Sequence, residues 1–79
     1  MKVLKFFTEL CSPCRTMSVQ LAELGFNVES VDAIKNRDLV ERYSVMAVPT
    51  LIKIDEDGNE IARLRGAQPA DKLKEFFGD

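Results

Sequence analysis

"KVLKFFTELCSPCRTMSVQLAELG" runs from Lys2 to Gly25 and contains both cysteines of the chain, Cys11 and Cys14. Its first part, Lys2 to Thr8, is short, apolar and aromatic, which reads as a buried strand. From Pro13 to Leu24 the apolar residues Cys14, Met17, Leu21 and Leu24 fall at helical spacing, and Gly25 closes the run. Pro13 suits the first helical turn, where its missing N–H has no intrahelical partner to lose. The Cys-X-X-Cys therefore sits at the carboxyl end of a strand, where the chain turns into a helix. In open α/β sheets functional groups gather at that edge.

Outward from this unit, Asn27 to Asp32 reads as a second, more polar strand. Asn36 is a candidate cap for a short helix carrying Leu39, Val40 and Tyr43. Thr50 to Ile54 and Glu60 to Arg65 flank the Asp57-Gly58 step, a hairpin signal. Gln68 and Pro69 open a last helix with Ala70, Leu73, Phe76 and Phe77 on its apolar side. The order is βαβ-α-ββα. It predicts an α/β fold: a four-stranded mixed sheet flanked by three helices, in a single domain over residues 1–79.

At 79 residues few side chains can be spared from packing. The net charge of −2, without a basic stripe, gives no footing for nucleic acid. The opening "MKVLKFF" begins like a signal peptide, but Thr8 and Glu9 interrupt it and no small-residue cleavage site follows. No apolar run approaches membrane-spanning length. The expectation is a soluble cytoplasmic monomer, in which a cysteine pair stays reduced unless it is turning over.

Three chemistries compete for the two sulfurs. A structural staple is weak, because chain entropy gives only about 2 kcal/mol for so small a loop, before strain is subtracted. A zinc site needs four ligands, and the chain has no histidine and no third cysteine, so carboxylates such as Glu9 or a second subunit would have to complete it. A redox pair has a direct cause: a thiol at a helix N-terminus is favoured as thiolate by unpaired N–H groups and the helix dipole. Cys11 would hold that position. Cys14, one turn in, would be less exposed and placed to attack a mixed disulfide on Cys11. Spacing and setting favour the redox pair.

"CSPC" after a strand, "AVPT" (Ala47 to Thr50) before another, and "RGA" (Arg65 to Ala67) after the hairpin together resemble the thioredoxins. The resemblance covers essentially the whole chain, without the N-terminal strand and helix of full-length thioredoxins. In length the chain is closer to glutaredoxins and small thioredoxin-like oxidoreductases. The resemblance implies a shortened thioredoxin fold and a protein-disulfide reductase that cycles Cys11 and Cys14 between dithiol and disulfide. It implies that Pro49 is a cis-proline facing the cysteines, so that the backbone of Val48 is exposed to pair with an extended substrate segment. Gly66 would let that segment approach closely, although a strand-end turn explains it equally well. Leu10, Pro13, Val48, Pro49 and Gly66 are thus the candidate substrate-binding residues. No metal or tightly bound cofactor is needed. Implied partners are disulfide-containing proteins, with a thioredoxin-reductase-like enzyme or glutathione as electron donor.

The chain departs from thioredoxins at three places. Leu10 stands where they usually carry tryptophan, and keeps an apolar contact surface without the indole N–H. Ser12 replaces the usual glycine, adding a hydroxyl near Cys11 that an exposed turn serine also explains. Lys5 stands where they typically bury an aspartate that helps move the resolving cysteine's proton. Lys5 is a candidate modulator of the thiol pKa, but the expectation is a snorkelling surface lysine at a strand end. Two other functions stay open. A glutaredoxin-like, glutathione-dependent reductase would want an aromatic residue inside the Cys-X-X-Cys, which this chain lacks. A non-enzymatic binding module would use the apolar rim around Leu10, Val48 and Ala67.

Overall fold

The computed structural model describes residues 1–78. Along the chain run β1 (Lys2–Phe7), α1 (Ser12–Leu24), β2 (Glu29–Asp32), α2 (Arg37–Arg42), β3 (Thr50–Ile54), β4 (Glu60–Arg65) and α3 (Ala70–Phe77). The strands form one mixed sheet in the order β2-β1-β3-β4. β1 pairs β2 in parallel, with Leu4 opposite Glu29, and pairs β3 antiparallel, with Phe6 opposite Thr50. β3 and β4 form the expected hairpin.

The alternation of side chains along β1 sends them to two different cores. Leu4 and Phe6 join Val31, Tyr43, Val45, Ile52 and Ile54 on one face, where Leu39 and Val40 of α2 close over them. Val3 joins Leu51 with Met17 and Leu21 of α1 and Leu73 and Phe76 of α3 on the other. Burying a side chain as large as Phe6 contributes about 1.5–3 kcal/mol, and Phe6 is fully buried. The two faces share strands but not contents.

Several boundaries differ from expectation, each for a local reason. β1 stops at Phe7, because the Thr8 carbonyl accepts the N–H of Cys11 at 3.3 Å and turns the chain toward α1. β2 begins at Glu29 rather than Asn27. The two residues after α1 still belong to its end: Gly25 is left-handed (φ 75°), and Phe26 N–H donates to Leu21 O at 3.0 Å. Phe26 then stacks on Phe77, with ring centroids 4.5 Å apart. Asn36 occupies the N-cap position of α2, yet its side chain caps nothing there. Its Nδ2 donates instead to Asp32 O at 3.0 Å, and Asp32 Oδ1 accepts the N–H of Ile34 at 2.9 Å. Gln68 lies outside α3, its Nε2 turned back to Arg65 O at 2.8 Å.

Candidate active site

One edge of the sheet gathers the carboxyl ends of β1, β2 and β4 with the amino end of β3. The loop from β1 and the start of α1 carry the cysteines to this edge. Cys11 is the N-cap of α1, with extended backbone (φ −101°, ψ 102°), and its Sγ accepts the N–H of Cys14 at 3.1 Å. Pro13 falls in the first turn, where no N–H is required. Cys11 and Cys14 are joined as a disulfide, with Cα atoms 5.2 Å apart. Cys11 is 8% exposed and Cys14 2%, so the second sulfur is the more covered of the two.

The segment before β3 reaches the same edge. The Val48–Pro49 peptide bond is cis, and Pro49 is fully buried. Thr50 Oγ1 donates to Ala47 O at 2.7 Å and closes the turn on itself. Among the described residues, neither the N–H nor the C=O of Val48 takes part in a turn, loop or cap hydrogen bond. Gly66 follows β4 with φ 76°, and its N–H donates to Pro49 O at 2.8 Å. Its positive φ gives the strand-end turn a physical reason, and a Cβ there would meet nothing within 4 Å. Leu10 is 95% exposed beside Cys11, and Met46 is 89% exposed just before the Val48–Pro49 turn. Ile34, also exposed, lies with Leu10 along a cleft of about 300 Å³ lined by Thr8, Glu9 and Asp32. Met46 and Ile34 were not among the sequence candidates; Ile34 is marked by its place between Asp32 and Lys35, whereas Met46 lies among apolar neighbours and only its exposure marks it.

Lys5 corrects the sequence reading. It is only 5% exposed, and it lies in mid-strand, paired to Ser30 of β2 and Leu51 of β3. Its side chain shares a face with Val3, under α1, so the stem cannot snorkel past the helix. Nζ donates to Ser18 Oγ and stands 5.5 Å from the centre of the Phe7 ring. No carboxylate pairs with it among the described residues. Burial lowers its pKa from the ordinary 10.5. Lys5, Cys14 and Ser18 line one open pocket of about 340 Å³. Ser18, four residues after Cys14, was legible only as a helical neighbour of the inner cysteine.

Among the described residues no group of three or more His, Cys, Asp or Glu side chains is assembled to hold a metal ion. None of the described helices is long and apolar enough to cross a membrane.

Residues 1–79 match the family model for thioredoxin. The chain is 30% identical over 69 residues to a thioredoxin-like protein derived from the SPbeta prophage of Bacillus subtilis, covering 87% of this chain and 86% of that one. It is 36% identical over 77 residues to a thioredoxin of Chlamydia pneumoniae, covering 91% and 71% of the two chains. The X-ray structure of Fasciola hepatica thioredoxin superposes with a TM-score of 0.82 at 33% identity, over 96% of this chain and 76% of that one.

Proposed function

This chain belongs to the thioredoxin family and is a thiol–disulfide oxidoreductase; from that premise we propose that Cys11 is its attacking thiol and Cys14 its resolving thiol. The Cys11 thiolate attacks one sulfur of a substrate disulfide, the substrate S–S bond breaks, and one substrate thiol leaves after taking up a proton. Cys14 then loses its proton and attacks Cys11 Sγ. The second substrate thiol departs, and the Cys11–Cys14 disulfide remains. Two electrons have passed to the substrate.

A single observation carries the assignment: Cys11 Sγ sits at the N-cap of α1 and accepts the Cys14 N–H at 3.1 Å. Such a position stabilises negative charge on Sγ, as a nucleophile requires. The greater burial of Cys14 supports its part as the second thiol. Val48, whose backbone groups take part in no turn, loop or cap hydrogen bond among the described residues, is the edge on which an extended substrate segment would pair, with exposed Leu10 and Pro13 and with Pro49 and Gly66 as its other contacts. A thioredoxin-reductase-like enzyme or glutathione returns the electrons, and a monomer in the cytoplasm completes the reading.

The test is limiting iodoacetamide on the reduced protein, followed by peptide mapping. Cys11 should be labelled first. First labelling of Cys14 would reverse the assignment. Insulin-disulfide reduction, driven in turn by a thioredoxin reductase and by glutathione, identifies the donor.

A further inference from the structure

Among the described residues Lys5 is the only buried charged side chain, and the disulfide cycle described above gives it no part. A buried ammonium without a carboxylate is costly. Its surroundings are specific. Among the described residues the one hydrogen-bond partner of Nζ is the Ser18 hydroxyl, on the same helix as Cys14. The charged groups around the shared pocket are Glu9 and Arg15. The Arg15 guanidinium is directed elsewhere, donating to Glu9 O at 3.1 Å and to Ser12 Oγ at 3.0 Å. The rest of that wall is Phe7, Thr8, Ser18 and Ser30, none of which titrates in the working range. Toward β3 the neighbour is Leu51. Lys53, the other lysine on this face, is turned to Phe76 O instead. Lys5 and Cys14 line this pocket together, and Lys5 holds the Ser18 hydroxyl one helical turn beyond Cys14.

We infer that the Lys5 amine is the proton-exchange partner of Cys14 during resolution, an inference that rests on the assignment of Cys14 as the resolving thiol. In that step the S–H bond of Cys14 breaks and an N–H bond forms on Lys5 Nζ. The electron pair left on Sγ makes the new bond to Cys11 Sγ. The Cys11–substrate bond breaks, its pair leaves with the substrate sulfur, and the proton on Lys5 passes to water through the open pocket. Burial disfavours the ammonium of Lys5 and so raises the share of free amine that can accept the proton. Once protonated, the ammonium stabilises the thiolate across the shared pocket. The two groups titrate as a pair.

The test isolates Cys14 as a single thiol in the Cys11→Ser variant and follows its ultraviolet thiolate absorbance against pH. Adding Lys5→Met should raise the apparent thiol pKa by at least about half a unit, roughly a threefold fall in acidity. A smaller rise, or a fall, would overturn the inference. Lys5→Gln provides a second neutral variant, and thermal melting shows which variants remain folded. An independent readout needs no change at Lys5. By reciprocity, its ε-methylene NMR titration should lie higher in Cys11→Ser than in Cys11→Ser/Cys14→Ser, and coincident curves would overturn the inference. Failure of the functional assignment reads differently: the wild-type protein would then label first at Cys14, whatever Lys5 does.

Discussion

The two faces of the sheet are built from the same four strands and solve different problems. The face under α2 is apolar, with an open cleft of about 520 Å³ where Leu4, Leu39, Tyr43 and Ile54 meet the β3–β4 turn. Its polar fittings sit at the margin and are partnered: Tyr43 OH donates to Gly58 O at 2.6 Å, and Arg63 donates to Tyr43 O and to both carboxylate oxygens of Glu60. The face under α1 and α3 admits two lysines. Lys53 reaches Phe76 O at the carboxyl end of α3, where the helix dipole welcomes a cation, and stands 4.8 Å from the Phe76 ring centre. Lys5 reaches only a hydroxyl. One face is spent on stability and the other carries a charge that stability alone does not explain. The redox helix lies on the second.

The sharpest way to break that comparison is to remove the nucleophile. Cys11→Ser should abolish insulin-disulfide reduction while leaving the urea unfolding curve of the reduced protein nearly unchanged. Cys14→Ser should accumulate stable mixed disulfides, visible by non-reducing electrophoresis, because no second thiol can resolve them. Phe6→Ala on the α2 face should do the reverse. It should cost about 3–5 kcal/mol in urea unfolding, a large share of the stability of so small a domain, with the folded fraction still able to cycle.

A smaller effect separates the two lysines. Lys53→Met should destabilise by about 1 kcal/mol, since it removes a charge-assisted bond to a helix terminus. Lys5→Met should be neutral or stabilising, because its hydrogen-bond partner, Ser18, is exposed and can turn to water. The pH dependence fixes the sign. Folding lowers the Lys5 pKa below 10.5, so between the lowered value and 10.5 the unfolded chain holds more protons than the folded one. Wild-type stability therefore gains on Lys5→Met as pH rises through that window. The advantage of the variant is complete below it. Parallel curves for the two proteins from neutral pH to beyond 10.5 would show that Lys5 does not titrate abnormally.

The smallest effect lies far from the site, in the β3–β4 turn. Asp55 Oδ1 accepts the N–H groups of Asp57 and Asn59, each at 2.9 Å. The backbone bond from Asn59 leads in holding this carboxyl below its usual 3.8. An NMR titration should place its midpoint under that value. Its contribution to folding is present above 3.8 and is lost as pH falls through the lowered pKa. A midpoint at or above 3.8 would mean that the turn does not hold its carboxylate.

Local signals determined much of this protein. A strand running into Cys-X-X-Cys, a helix closed by Gly25, and two strands astride Asp57-Gly58 were legible because period, capping and turn chemistry act over a few neighbouring residues. β3 and β4 therefore have the expected ends, Thr50–Ile54 and Glu60–Arg65. The cysteine pair was legible too, since its spacing is itself local. Where other contacts compete, the local signal loses: β2 starts late because Phe26 is held by Leu21 O and Phe77, and the Asn36 side chain turns from capping α2 to Asp32 O. Lys5 is the clearest case. A lysine in a strand carries no local sign of being covered, and only the packing of α1 across β1 decided that its amine would lie against Ser18, in the pocket of Cys14. Burial belongs to the assembled layers, and no stretch of sequence read by itself contains it.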